Sequence, residues 1–313
     1  MKNVIQIASQ TIMPGEHAQV SLDVARLPSH TVIDVPVYVY RSKAPGPVLL
    51  FTAGLHGDEL NGIEIVRRLI AEGFTVPVRG TVIAIPVVNI FGFLHATRDL
   101  PDGKDLNRSF PGSKTGSLAR RVAHAVMRDV LPAVEIGVDF HTGGAQRANY
   151  PQIRCVFGDA KSRRLAKRFD APLTIDSRLL DKSFRKEAGK RGKHIIVYEG
   201  GESSRFDELA INEGIRGARR LMASLKMRHE PLRKRRTVSI RSSVWVRGKY
   251  SGLLRMRVKP GVRVAAREVI ATITDPFGES EFRARAPRAG WVIGVNHQPV
   301  ISQGDAVLHL GFV

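Results

Sequence analysis

The segment AGLHGDELNG sets His56 and Glu59 three residues apart, directly after the apolar run 48–54 and just before an amphipathic stretch. A histidine and a carboxylate at i and i+3 where a helix begins can aim both side chains at one point, which is a geometry able to hold a metal. HxxE alone recurs by chance, and the plainer alternative is a surface histidine beside a glutamate that favours the helix dipole. A third ligand must come from another strand end. DFHTGG supplies His141, again after an apolar β-like run and again leading into glycines. Ligands of open α/β sheets gather at such carboxyl ends. Two histidines and one carboxylate leave a fourth position for water, the donor set of catalytic zinc sites, and imidazole favours zinc over magnesium or calcium. One zinc ion per chain is expected at His56, Glu59 and His141.

Hydrolysis also needs a proton acceptor. IIVYEGGES ends a further apolar run at Glu199, and a carboxylate beside a metal could take a proton from water and return it to a leaving amine. The polar loop ATRDLPDGKDLNRSFPG carries Arg98, Asp105, Asn107 and Arg108. Arg108 offers a planar fork that matches a carboxylate, Asn107 adds donors beside it, and Arg98 could stabilise an oxyanion. Taken singly, loop arginines are more often solvated than functional. Arg147 and Arg154 follow the third ligand and are placed as possible pocket residues. His95, His124, His194 and His297 lack partners at ligand spacing and read as surface or structural. Cys155, in the apolar context IRCVFG, reads as a buried small hydrophobe.

These residues need a sheet to carry them. Runs at 48–54, 81–88, 135–140 and 194–200 read as buried strands, while 60–72, 118–130, 160–169 and 206–225 repeat apolar residues at helical spacing. That alternation predicts an α/β fold, with a catalytic unit over 1–228 whose first 47 residues are β-rich. Beyond the basic stretch RHEPLRKRRTVSIR the pattern becomes short strands and Gly/Pro turns, predicting an all-β unit over 229–313. A weak repeat lies within it. Val264 matches Ile301, Ile270 matches Val307 and Ile273 matches Leu310, all at the same offset, so two similar halves should form a small β-sandwich. This resembles the barrel-sandwich fold of biotinyl and lipoyl carrier domains, yet the connection RARAPRAGW has no lysine to modify. A structural role, or pairing of subunits into a homo-oligomer, is the expectation.

Composition limits the remaining choices. At 313 residues, with 43% hydrophobic and 25% charged, the chain can bury a sizeable core and is not disordered. Its longest apolar stretch, 80–94, is interrupted by Pro86 and Asn89 and is too short to span a bilayer, so no membrane segment is expected. One cysteine and no signal-peptide pattern point to the cytoplasm. The net charge of +20 raises nucleic acid as a partner. Aromatics do not interleave with the basic clusters, and no DNA- or RNA-binding motif is evident, which disfavours that reading.

HGDE, DLNRSFPG, DFHTGG and VYEGGE together, in this order, resemble the succinylglutamate desuccinylase/aspartoacylase family, relatives of zinc carboxypeptidases. The resemblance covers about 48–225 and, with the β-rich tail, nearly the whole chain. It implies a carboxypeptidase-like mixed sheet flanked by helices, with one zinc on His56, Glu59 and His141. It further implies Glu199 as the water-activating base, Arg98 polarising the scissile carbonyl, and Asn107 with Arg108 holding a substrate carboxylate. The expected activity is deacylation of an N-acyl amino acid or similar small amide. The competing readings are a metallocarboxypeptidase for short peptides and a non-catalytic basic protein that assembles or binds polyanions. Zinc carboxypeptidases also use a mobile tyrosine, and neither Tyr150 nor Tyr250 lies in a matching motif.

Overall fold

The computed structural model describes residues 4–26, 29–229 and 237–313. Most of the basic stretch that joins the two expected units, 230–236, lies outside the described residues. A hairpin of β1 (Ile5–Ile7) and β2 (Gln10–Ile12) precedes two long strands, β3 (His17–Arg26) and β4 (Val32–Arg41). The chain then runs through β5 (Val48–Ala53), α1 (Leu60–Ala71), β6 (Thr81–Ile85), α2 (Ile90–His95), α3 (Leu118–Ala125), β7 (Ile136–Gly143) and β8 (Arg147–Cys155). There follow α4 (Ala160–Phe169), β9 (Leu173–Asp176), α5 (Phe184–Gly189), β10 (His194–Glu202) and α6 (Glu208–Ser224). The C-terminal part holds β11 (Val238–Ile240), β12 (Ser242–Arg247), β13 (Gly252–Met256), β14 (Arg263–Val264) and β15 (Val269–Thr274). It ends with β16 (Glu281–Arg285), β17 (Gly290–Asn296), β18 (Val300–Ile301) and β19 (Ala306–Phe312).

The spine of the large mixed sheet runs β12-β19-β17-β8-β10-β7-β5-β6-β4-β3. Its centre is parallel, with β10 beside β7, β7 beside β5, and β5 beside β6. Every residue of β5 and β6 is buried, as expected where helices cover both faces. Alternation splits β5 between two cores: Leu50 packs with Ile83, Val37 and Val122, while Leu49 and Phe51 pack with Ile65, Phe140 and Tyr198. Helix α1 presents Ile65, Val66 and Leu69 to the second of these cores.

Three departures from the expected elements have backbone causes. The strand expected over 81–88 ends at Ile85, before Pro86, which lacks an N–H for a ladder. The helix expected over 118–130 changes pitch after Ala125, with a π turn at Val126–Val130 and a 3-10 turn at Leu131–Ala133. Pro132 cannot donate to the carbonyl one turn back and crowds it. Strand β8 escapes the sequence pattern because it contains Pro151 and polar residues. The ladder to β10 is irregular between Glu199 and Gly201, opposite 149–152, so Pro151 is not needed as a ladder donor.

The C-terminal repeat is visible in three dimensions. Strands β13, β14 and β15 of the first half correspond to β17, β18 and β19 of the second. Strand β14 pairs with β17 and β18 pairs with β13, so each half lends a short strand to the other. Val264, Ile301, Ile270, Val307, Ile273 and Leu310 are all buried in one cluster. Pairing of β17 with β8 joins this part to the central sheet. Among the described residues no helix is long and apolar enough to cross a membrane. Truncation of Ile270 to alanine should destabilise the protein by about 2–5 kcal/mol, the usual range for emptying a buried isoleucine site. A denaturant unfolding curve of Ile270→Ala measures it, and an unchanged midpoint would contradict this packing.

Candidate metal and catalytic site

His56 lies in the turn between β5 and α1, and the turn's path depends on Gly57. A Cβ at that position would sit 1.8 Å from the Gly92 carbonyl carbon, so only glycine allows α2 to pack this closely. Fully buried Asn89 braces the same corner. Its side-chain oxygen accepts from Gly92 N–H at 2.8 Å, and its amide donates to the Arg98 carbonyl at 3.3 Å. Glu59 is the residue before the first turn of α1, yet its carboxylate caps no helix N–H and remains free to face the histidines. Asn61 ties this helix start to the end of β10 by donating to the Glu202 carbonyl at 3.1 Å.

His56, Glu59 and His141 converge. Their ligand atoms all lie within 4.8 Å of one another and all three residues are buried. Glu59 stands between the rings, with Oε1 2.7 Å from His56 Nδ1 and Oε2 2.8 Å from His141 Nδ1. The Thr142 backbone N–H donates to Oε2 at 3.1 Å. Each ring is held on its far side by another carboxylate. His56 Nε2 lies 3.2 Å from Asp105 Oδ1, and His141 Nε2 lies 2.8 Å from Asp139 Oδ2. Asp139 accepts a further bond from the Thr52 hydroxyl at 2.8 Å. Carboxylates on the outer nitrogens fix the tautomer and direct Nδ1 inward, as metal-binding histidines require.

Electrostatics follow this arrangement. Burial alone would raise the Glu59 carboxyl, but the two imidazoles hold it well below the usual range. Burial alone would lower both histidines. Glu59 and Asp105 nevertheless hold His56 above its ordinary value, and Asp139 and Glu59 hold His141 well above it. A buried cluster so rich in anionic charge suits a divalent cation. Space is kept above it, because a Cβ on Gly144 would lie 3.3 Å from Arg98 Nη1 and 3.9 Å from Glu59 Oε1.

The other expected residues line the same cleft, of about 330 Å³. Glu199 on β10 is in register with His141 on β7, which places the two side by side on neighbouring parallel strands. Asn149 donates to Glu199 Oε2 at 2.8 Å, and Arg154 lies 3.6 Å from Oε1. Arg98 bridges Glu59, at 3.4 Å, and Asp105, at 2.9 Å. Asn107 accepts the Phe184 N–H through its side-chain oxygen at 2.9 Å, which turns its amide NH2 away from that contact. Arg108 is exposed and donates to the Asn107 carbonyl at 2.7 Å.

Several cleft residues were not read as a group from the sequence. Asp139 is part of DFHTGG and Asp105 part of the polar loop, but their attachment to the histidines emerges only in space. Arg185 lies on α5. It donates to the carbonyls of Arg154, Ser177 and Arg178 and to the Ser177 hydroxyl, with no carboxylate partner among the described residues. Burial, with Arg154 beside it, lowers its guanidinium to about 10. Trp245 of β12 brings the C-terminal part into the cleft wall, with the Arg147 guanidinium 5.6 Å from its ring centre. Neither tyrosine lines the cleft: Tyr150 packs in β8 and Tyr250 stacks on Phe282. His194 and His297 pair with Asp159 and Glu202, away from the cluster. Cys155 is buried, which pushes its thiol up to about 12.

A family model described as the succinylglutamate desuccinylase/aspartoacylase catalytic domain matches residues 45–225. The chain belongs to this family. The family's residues 45–225 carry every ligand and cleft group named above except Trp245. Among its relatives is the N-alpha-acetyl-L-2,4-diaminobutyric acid deacetylase of Halomonas elongata, 30% identical over 290 residues, covering 87% of this chain and 84% of that protein. The product-bound structure of the ectoine utilization protein EutE (DoeB) from Ruegeria pomeroyi superposes with a TM-score of 0.83 at 25% identity, over 95% of both chains. A succinylglutamate desuccinylase/aspartoacylase structure from Rhodobacter sphaeroides shares the fold, with a TM-score of 0.82 at 23% identity over 95% of both chains. Of these relatives of the desuccinylase/aspartoacylase family member described here, the Halomonas protein is named as the deacetylase of an N-acetylated amino acid.

The bond from His141 to Asp139 has a measurable consequence. Divalent metal added to this cluster should bind about 10–100-fold more weakly in Asp139→Asn, as loss of such supporting carboxylates does. Competition with a chromogenic chelator reads the affinity directly, and an unchanged value would remove Asp139 from the support of the site.

Proposed function

We propose that the protein is a zinc-dependent amidohydrolase that deacylates a small N-acyl amino acid. The observation that carries this is the convergence of His56, Glu59 and His141 beside Glu199 in one cleft. His56, Glu59 and His141 would hold the ion, which when bound acidifies a water molecule and polarises a carbonyl. Glu199, steadied by Asn149, takes the proton from the attacking water and delivers it to the amine as the C–N bond breaks. Arg98 donates to the carbonyl oxygen as negative charge develops there. Asn107 and Arg108 hold the amino-acid carboxylate.

The cleft volume of about 330 Å³ lies at the small end for ligand pockets, which favours a single acylated amino acid over a peptide. Its walls also bear on which one. Arg147, Arg154 and Arg185 line the cleft, and Arg154 Nε is buried without a partner among the described residues. Donors left unpaired this way favour a substrate that brings a second carboxylate, on its acyl or its amino-acid side chain. An N-acetyl-diaminobutyrate, the substrate class named for the Halomonas relative, would instead bring an amine to the same arginines.

Three results are expected. Glu199→Gln lowers kcat by about 10²–10⁴ while the purified variant retains zinc by elemental analysis; wild-type turnover in that variant would refute the assigned proton transfer. Dialysis against a chelator abolishes hydrolysis, and stoichiometric zinc restores it. In parallel assays, N-succinyl or N-acetyl acidic amino acids give higher kcat/KM than N-acetyl-diaminobutyrate and than dipeptides. The opposite ranking would assign Arg154 and Arg185 to support alone.

A further inference from the structure

Two basic clusters far apart in sequence meet on the molecule away from the catalytic cleft. Helix α4 contributes Lys161, Arg164 and Arg168 at helical spacing, so they share one face, and the turn into β10 contributes Arg191, Lys193 and His194. Together they line a cavity of about 410 Å³ whose apolar floor is Pro47, Ile136, Leu165 and Leu225. Ile136 and His194 pair at the starts of β7 and β10, whereas His141 and Glu199 pair at their carboxyl ends. Five residues along a strand separate the two sites by about 16 Å. These cations therefore do not serve the reacting atoms.

Their charge is poorly compensated. Glu135 is the one carboxylate among the lining residues. Arg191 reaches Glu187 only at 3.9 Å, while Glu187 is already held by Lys190 at 2.6 Å. His194 is paired with Asp159 at 3.1 Å, and Lys193 donates to the Pro132 carbonyl at 3.0 Å. The exposed side chains of Lys161, Arg164 and Arg168 have no carboxylate partner among the described residues. Cations gathered in a concavity over apolar walls focus a positive field and raise the local concentration of anions. Guanidinium forks beside ammonium groups match phosphate oxygens. No Phe, Tyr or Trp lines the cavity, so the large aromatic platforms that single-strand binders use for nucleobases are absent from it.

We infer that this cavity, framed by α4 and the start of β10, is a binding site for a short phosphate chain. Two or three linked phosphates bring the closely spaced charge that five cations would neutralise, and they need no base contact. The source is either inorganic polyphosphate or the phosphate tail of a nucleotide.

Isothermal titration of the full-length, zinc-loaded protein with inorganic tripolyphosphate tests the proposal, with ATP as the second arm. Saturable one-site binding that weakens as salt rises is expected. Arg164→Glu/Arg168→Glu should weaken it by about tenfold or more while leaving deacylase turnover and the thermal midpoint unchanged. Arg255→Glu/Arg257→Glu, exposed residues of the C-terminal part, alters the net charge by the same amount and should leave binding within about twofold. Equal affinity for tripolyphosphate and ATP assigns recognition to phosphates alone, and tighter ATP binding assigns the nucleotide as the source. Three outcomes overturn the site: no saturable binding, equal weakening by both double variants, or a short single-stranded oligonucleotide that binds more tightly through the same arginines.

Discussion

The Glu59 carboxylate, held between the Nδ1 atoms of two histidines, is the contact on which the rest of the molecule converges. It can sit there because α1 begins one residue later, because Gly57 lets α2 pass within contact distance, and because β7 runs parallel to β5 and delivers His141 alongside. Each ring is then pinned from behind by Asp105 or Asp139. Burying several carboxylates and two imidazoles together is costly unless the charges compensate one another. The arrangement is therefore tolerable only as a complete set. Removal of one member leaves the others as unpaired buried charge, and so residues that touch no substrate still control the site.

The convergence of His56, Glu59 and His141 was legible in sequence for a local reason. His56, Glu59, His141 and Glu199 each follow an apolar run that can only be a buried strand, and residues at the carboxyl ends of adjacent parallel strands must meet. Helix α4 was legible to the residue, since its amphipathic pattern is short and bounded by Asp159 and Asp170. What stayed hidden depends on three-dimensional neighbours. Strand β8 hides behind Pro151 and polar side chains because its inward residues face a cleft and not a core. Asp139 and Asp105 look like ordinary strand and loop acids until the rings they hold are in place. Arg185 looked like one of many cations, and only its burial among carbonyl oxygens separates it from the solvated ones.

The C-terminal part has a physical role beyond packing against itself. Through β17 it extends the central sheet, and through β12 it places Trp245 in the cleft wall. That indole is stacked on His309 at a centroid distance of 4.4 Å and 8°. Burial, aided by Arg154, lowers His309 to about 3, so the ring beneath Trp245 is neutral at physiological pH and accepts or donates to Ser243 at 2.8 Å without adding charge. A flat, uncharged aromatic wall held this way excludes water from one side of the cleft while Arg147 rests against its face. The C-terminal part thus has a use in shaping the cleft.

Charge is layered across that cavity, and the layering orients what enters. Glu59, Asp105 and Asp139 form an inner anionic shell around the two histidines, whereas Arg108, Arg147, Arg154 and Arg185 line the walls beyond it. A substrate with an uncharged amide and a terminal carboxylate has one favourable orientation in such a field. Its carboxylate is drawn to the arginines and repelled by the inner acids, which turns the amide toward His56, Glu59 and His141. Glu199 sits on the boundary between the two layers, paired with Asn149 and only loosely with Arg154 at 3.6 Å. Its register with His141 sets this carboxylate at the edge of the inner shell, and the looser contact with Arg154 leaves Asn149 as its close partner.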